Sequence, residues 1–230
     1  MKPYFSVIIP AHNEENYIYK TLHSLNEQTD QNFEVIVVAN GCTDQTEKIV
    51  KKIENEKLRL LSLSQAHVSL ARNHGAKGAT GDLLVFLDAD TTLEKDSLEK
   101  IKKQFKDNHA IATTLAKPDE NKFSYHLSQK FKNLYNYTGL YRGCSGVLIC
   151  RNDQFNQVKG YPMLKLAEHR KLTLKLLKFG KYSCVNTYAT TSMRRYQQWG
   201  LGKTIFVHSY HWIKRHLGRS IKNDDYETVR

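Results

Sequence analysis

The run Leu83-Leu84-Val85-Phe86-Leu87, followed at once by Asp88-Ala89-Asp90, limits this chain more than any other stretch. Five consecutive apolar residues after Gly81-Asp82 read as a strand covered on both faces, which belongs in the middle of a sheet with helices on either side. The run stops on two carboxylates separated by one residue. Side chains alternate along an extended chain, so Asp88 and Asp90 point to the same side if that geometry persists past the strand end. Paired acids suit a hard divalent cation such as Mg2+ or Mn2+, held by one or two carboxylates and completed by substrate phosphates and water. The structural alternative is a pair of turn-forming acids capping a helix predicted over Thr92–Lys106.

Upstream, strand and helix signals alternate. Phe5-Ser6-Val7-Ile8-Ile9 is a β-branched strand ended by Pro10, and Asn13-Glu14-Glu15 opens a helix with Ile18, Leu22 and Leu25 on one stripe. A second strand over Glu34–Val38 is closed by Asn40-Gly41, with Thr43 and Asp44 capping a helix over Gln45–Asn55. A third strand is expected over Leu58–Leu63, then a helix over Val68–Ala79 weakened by Gly75 and Gly78. Such alternation builds βαβ units and a mainly parallel central sheet flanked by helices, an α/β fold. Ligands in these sheets bind beyond the carboxyl ends of the strands. The loops starting at Pro10, Ala39 and Asp88 are therefore expected to converge on one crevice.

After Lys106 the pattern loosens. Strands are expected over Ala110–Ala116, Gly146–Cys150 and Tyr182–Val185, with a basic, aromatic-rich helix over Lys122–Tyr137. Another helix, over Glu168–Phe179, carries Leu172, Leu176 and Phe179 at helical spacing. A helix over Leu201–Leu217 and a fraying polar tail from Ser220 complete the chain. No linker or repeat divides it. A single domain is expected, with a first lobe over 1–115, an acceptor-side lobe over 116–200 and a basic, aromatic C-terminal region over 201–230.

Charge is split unevenly: residues 1–115 carry 14 Lys and Arg against 16 Asp and Glu, whereas 116–230 carry 21 against 7, a net of +14. The second half suits an anion, be it a nucleoside diphosphate, an acidic acceptor, a membrane surface or nucleic acid, unless the charge merely solvates a surface. Trp199, Phe206, Tyr210 and Trp212 would suit a membrane surface, or pack as core. No apolar run reaches the ~18 residues of a spanning helix, and Met1-Lys2-Pro3-Tyr4 leads into a strand rather than a signal-peptide core. A cytoplasmic protein with access to the inner face of the membrane is expected. Cys42, Cys144, Cys150 and Cys184 lack C-x-x-C spacing and read as free thiols.

Four stretches together resemble the motifs of family 2 glycosyltransferases of the GT-A fold: Ser6-Val7-Ile8-Ile9-Pro10-Ala11-His12-Asn13-Glu14, Val37-Val38-Ala39-Asn40-Gly41-Cys42-Thr43-Asp44, Ala71-Arg72-Asn73-His74-Gly75 and Phe86-Leu87-Asp88-Ala89-Asp90. A fainter match runs through Val158-Lys159-Gly160-Tyr161-Pro162, Glu168, Gly180-Lys181 and Ser192-Met193-Arg194-Arg195, so the resemblance covers residues 4–200. It implies inverting, metal-dependent transfer of a sugar from a nucleoside diphosphate sugar, UDP-sugar favoured. The acceptor it implies is a saccharide, a lipid-linked glycan or a polyprenyl phosphate, in glycan or cell-envelope biosynthesis. By the same resemblance Pro10, Ala11 and Glu14 line the nucleotide pocket with Ala39 and Asn40, and Arg72 lies near the sugar or phosphates. Asp88 would face the ribose and Asp90 the metal, Mn2+ or Mg2+, with Arg194 and Arg195 helping to neutralise the departing diphosphate. No nucleic-acid motif accompanies the basic half, and no such partner is expected.

Two positions depart from the family pattern. Ala39 stands where an acid usually helps to recognise the base or ribose, and Glu168-His169 stands where a Glu-Asp pair usually supplies the general base. His169 could take the acceptor's proton, since a free imidazole titrates at about 6.5. Glu168 could take it instead, or an acceptor that is already an anion needs no base. These departures also leave open a non-catalytic nucleotide-sugar-binding protein. A nucleotidyltransferase is the lesser enzyme alternative, and Pro10-Ala11-His12-Asn13-Glu14 lacks the glycines of its phosphate loop.

Overall fold

The computed structural model describes residues 2–139, 144, 146–164, 168–200 and 202–204. In chain order its elements are β1 (Phe5–Ala11), α1 (Ile18–Asn26), β2 (Phe33–Asn40), α2 (Thr46–Lys52), β3 (Leu58–Leu63), α3 (Val68–Lys77), β4 (Leu83–Leu87) and β5 (Thr91–Leu93). These are followed by α4 (Ser97–Gln104), β6 (His109–Pro118), α5 (Phe123–Thr138), β7 (Val147–Arg151), α6 (Asn152–Gln157), α7 (Glu168–Leu176) and β8 (Lys181–Thr191). The strands make one sheet in the order β3-β2-β1-β4-β7-β6-β8-β5. β4 is buried at every position, as a five-residue apolar run demands.

The first four strands in that order are parallel, and register aligns their carboxyl ends: Ile8 lies beside Ile36 and Phe86, and Ala11 beside Ala39. Pro10 is tolerated inside β1 because the β1–β4 pairing already ends at Ile8, so its missing N–H breaks no bond on that side. The rest of the sheet is mixed: β7 is antiparallel to both β4 and β6, β6 and β8 are parallel, and β5 is antiparallel to β8.

Alternation along the strands feeds two layers. Val7, Ile9, Val35, Val37, Val85 and Leu87 pack with Ile18, Leu22 and Leu25 of α1 and Leu98 and Ile101 of α4. Ile8, Leu84 and Phe86 face the other way, onto Phe155, Tyr161, Leu172 and Leu176. Each fully buried side chain of this size contributes about 1.5–3 kcal/mol relative to exposure. Gly75, a weak residue for a helix, is where α3 meets the sheet: a Cβ there would lie 2.6 Å from Ile8 Cγ2 and 3.1 Å from Val38 Cγ2.

Several boundaries differ from the sequence reading. Thr92–Lys106 is not one helix: Thr91–Leu93 pairs with β8 and the helix starts only at Ser97. The helix predicted over Gln45–Asn55 spans Thr46–Lys52, with Asn55 instead bridging to Leu58. α7 ends at Leu176 rather than Phe179, and Tyr182–Val185 is part of an eleven-residue strand. α6 was not foreseen. Of the C-terminal helix only Gly202–Thr204, which are helical, are among the described residues; Phe206, Tyr210 and Trp212 lie outside them, and Trp199 is half-buried. The four cysteines are free. Among the described residues no helix is long and apolar enough to cross a membrane.

Candidate active site

The chain does not stay extended after Leu87. Asp88 donates its N–H to Gly146 O at 2.9 Å and accepts from Thr91 N–H at 3.1 Å, so a turn, not strand alternation, places the two carboxylates. They still share one crevice, and each takes its own arginine. Arg72, from α3, donates to Asp88 Oδ1 at 2.9 Å and to Glu168 Oε1 at 3.0 Å, with its guanidinium over the Tyr161 ring at 5.3 Å. Arg194, just beyond β8, donates to both oxygens of Glu14, at 2.7 and 2.6 Å, and lies 3.2 Å from Asp90 Oδ2. The geometry is two acid–arginine–acid bridges, one on each side of the β4 tip.

Electrostatics follows from burial and from these partners. Burial pushes Asp90 up to about 6, Asp88 adds to the rise, and Arg194 pulls against it. Burial alone would lower the Arg72 pKa, but Tyr161, Asp88 and Glu168 carry it above its ordinary value. Arg194 is raised likewise, by Glu14 and Asp90 against its own desolvation. Both guanidiniums are fixed charges.

The loops after β1 and β2 are laced together, as convergence requires. The His12 ring Nδ1 lies 2.5 Å from Asn40 O, and Asn40 Oδ1 accepts from His67 N–H at 2.8 Å. Asn13, in the left-handed region at φ 55°, accepts from Thr43 N–H at 2.8 Å. Glu14 N–H donates to Thr46 Oγ1 at 2.8 Å, and Cys42 Sγ to Ala11 O at 3.3 Å. Pro10 and Ala11 end β1 next to Ala39, which is buried, so no carboxylate reaches the crevice from that position.

His169 sits in a setting that the free-imidazole argument did not anticipate. Its Nδ1 is 3.1 Å from the Tyr161 hydroxyl, its ring meets that ring edge-on, and its Nε2 is 3.5 Å from Glu168 Oε1. Burial, reinforced by Arg72, pushes it down to about 3. The imidazole is neutral near pH 7, and the pKa match that made it suited to proton transfer there is gone. Arg195 parts from Arg194 and lies over the Trp199 ring at 5.8 Å.

Sequence reasoning missed three side chains of this neighbourhood: Tyr17, over which Arg194 lies at 5.0 Å, Tyr161, and Lys132. Burial draws Lys132 below its ordinary value while the charges of Cys144, Asp88 and Asp90 act the other way. Tyr161 stood in a quoted motif, but nothing local marked Tyr17 or Lys132.

Among the described residues no group of three or more His, Cys, Asp or Glu side chains is arranged to hold a metal alone. The donor set nevertheless fits a substrate-completed ion: Asp88 and Asp90 offer hard oxygens, and the repulsion by Asp88, which adds to the burial-driven rise of Asp90, is what a divalent cation relieves.

Comparison with known proteins gives the family and the fold. AmsB of Erwinia amylovora, an amylovoran biosynthesis glycosyltransferase, is 39% identical over 102 residues, which is 42% of this chain and 34% of that protein. The crystal structure of Staphylococcus aureus TarS in complex with UDP-GlcNAc superposes with a TM-score of 0.68 at 28% identity, covering 83% of this chain and 58% of that one. The mannosyltransferase PcManGT from Pyrobaculum calidifontis, in complex with GDP-Man and Mn2+, has a TM-score of 0.72 at 20% identity over 97% of this chain and 66% of that one, a likeness of fold. The chain spans less than half the length of the first curated relatives it matches. Residues 6–160 match the family described as Glycosyl transferase family 2. That match takes in the loops after β1, β2 and β4 that meet in the crevice, and the chain belongs to glycosyl transferase family 2.

Proposed function

We propose that the chain transfers a sugar, with inversion, from a UDP-sugar to a saccharide or lipid-borne acceptor in cell-envelope glycan synthesis. The observation that carries this reading is the meeting of Glu14–Arg194–Asp90 and Asp88–Arg72–Glu168 at the tip of β4. The relatives named above support the substrate class, TarS through its bound UDP-GlcNAc and AmsB through amylovoran biosynthesis.

In this reading Pro10, Ala11, Glu14 and the Ala39-Asn40 loop hold the nucleotide. Asp88 and Asp90 would hold Mn2+ or Mg2+, whose chemistry is Lewis-acid relief of the charge on the leaving diphosphate. Arg194 presents a planar fork suited to a phosphate and adds a fixed positive charge there. Arg72 orients Asp88 and Glu168 from below. Glu168 is the candidate base: it takes the proton of an acceptor hydroxyl as that oxygen bonds to the anomeric carbon and the bond to the diphosphate breaks. Neutral His169, fixed by Tyr161, positions Glu168. An acceptor phosphate would need no base.

Isothermal titration with UDP, with and without Mn2+, tests the site. Metal-dependent binding that Asp90→Ala abolishes is expected; metal-independent binding indifferent to Asp90→Ala would refute it. The second reading, a nucleotide-sugar-binding protein without turnover, is favoured by the burial of Ala39 and by the engagement of Glu168 with Arg72. Release or transfer of label from a radiolabelled UDP-sugar separates the two.

A further inference from the structure

α5 is inverted relative to an ordinary surface helix. Its buried side is mostly polar, with Tyr125 packed on Tyr196 as its one large apolar group: Gln129 donates to Met193 Sδ at 3.5 Å, Ser128 and Tyr196 share a hydrogen bond of 2.9 Å, and Asn133 bonds both backbone groups of Ala116 at 2.8 Å. Lys132 lies on this side too, within the influence of Asp88 and Asp90. The solvent side is apolar. Phe123, Leu127, Phe131 and Leu134 follow one another at steps of four, four and three, a single helical stripe, and are 84%, 43%, 59% and 60% exposed. Tyr135 and Tyr137 border it, 48% and 75% exposed. A contiguous apolar face left in water marks a place of contact.

We propose that this face of α5 docks on an anionic lipid surface, its apolar stripe entering the acyl boundary and Lys130 meeting lipid phosphates. Charge selects this occupant: residues 121–139 contain three lysines and no Asp or Glu, and although Lys122 pairs with Glu120 at 2.9 Å and Lys132 faces inward, Lys130 is left on the outer face. Lys130, exposed within the stripe, has no carboxylate partner among the described residues. Phe, Leu and Tyr over a basic helix is the composition of an interfacial helix. Area argues against a second copy as the occupant. The 16-residue helix is about 24 Å long and about 10 Å wide, giving roughly 240 Å2 per copy where a stable interface needs about 800 Å2 per partner. The consequence for catalysis rests on the function proposed above. α5 would stand one helix thick, about 10 Å, between the lipid and the crevice, so a phosphate or sugar on a lipid tail could reach Glu168 without leaving the membrane.

The test is co-sedimentation of the full chain with vesicles of phosphatidylcholine alone and of phosphatidylcholine with phosphatidylglycerol, with UDP-induced thermal shift measured in parallel. Binding to the anionic vesicles is expected, weakened about tenfold or more by Phe131→Ser with Leu134→Ser and also weakened by Lys130→Glu, with the melting temperature and UDP shift unchanged. No binding by the wild type, or equal binding by the variants, overturns the proposal. So does a large drop in melting temperature in the Ser variant, which would place the chain's own residues 205–230 on the stripe. A dimer that the Ser variant dissolves, without vesicle binding, overturns it in favour of a second copy. Vesicle binding without any UDP shift would sink the enzymatic reading and leave the docking surface standing.

Discussion

Arg194 donates both terminal nitrogens of its guanidinium to Glu14, across 180 positions of sequence, while the same side chain lies 3.2 Å from Asp90. This clasp joins the start of the chain to the segment after β8 and sets a fixed cation beside the tip of β4. A bidentate fork is specific to arginine.

Arg194→Lys keeps the charge and loses the fork. It is expected to weaken UDP binding about tenfold, the worth of one charge-assisted hydrogen bond, and to lower stability by about 1–2 kcal/mol, the clasp being only partly buried. Titration calorimetry and urea unfolding check this; a lysine variant equal to wild type in both would show that the fork is idle.

Asp90 and His169 make opposite contributions to stability between about pH 4 and pH 6. Asp90 holds its proton more tightly folded than unfolded, so its contribution falls as pH rises from 3.8 to about 6. His169 holds its proton less tightly folded, so its contribution is complete above 6.5 and is lost as pH falls toward about 3. Relative to wild type, the unfolding free energy of Asp90→Asn should therefore rise more steeply with pH across this window, and that of His169→Gln less steeply, each by up to about 1.4 kcal/mol per pH unit in urea unfolding. Profiles parallel to wild type would contradict both shifts.

Glu168→Gln preserves shape and removes the base. Transfer to a hydroxyl acceptor should fall about a hundredfold or more, the range of general-base catalysis, with UDP affinity unchanged. His169→Gln should cost far less, since the ring is neutral and acts on Glu168 only by position. If steady-state assays rank the two the other way, His169 is the base.

Gly75→Ala adds a Cβ only 2.6 Å from Ile8 Cγ2 and 3.1 Å from Val38 Cγ2, so α3 or these β-branched side chains must shift to admit it. Overpacking of this kind costs about 1–3 kcal/mol, against the gain in helix propensity of about 1 kcal/mol that alanine would bring on an exposed helix. Net destabilisation in urea unfolding is expected; stabilisation would mean that α3 can lift off the sheet.

Much of the first half was legible because its signals are local. The β-branched run at Phe5–Ile9 and the apolar run at Leu83–Leu87 can scarcely be anything but inner strands, and their carboxyl ends fall at the crevice for the same reason, although β1 runs through Pro10 to Ala11 instead of stopping at the proline. Thr91–Leu93 was misread because a three-residue strand has no period of its own; it exists only because Thr191 is there to pair with it. The antiparallel placement of β7 between β4 and β6 is likewise a property of partners.

The sequence alone determined the strand-and-helix alternation, the convergence of the loops after β1, β2 and β4, and the acids at the end of β4, since these depend on residues near one another in the chain. Which arginine holds which acid, the loss of basicity at His169 and the outward turn of α5's apolar stripe were decided only in the tertiary structure. Those properties come from desolvation and from charges brought together across as many as 180 positions, and no stretch of chain carries either by itself.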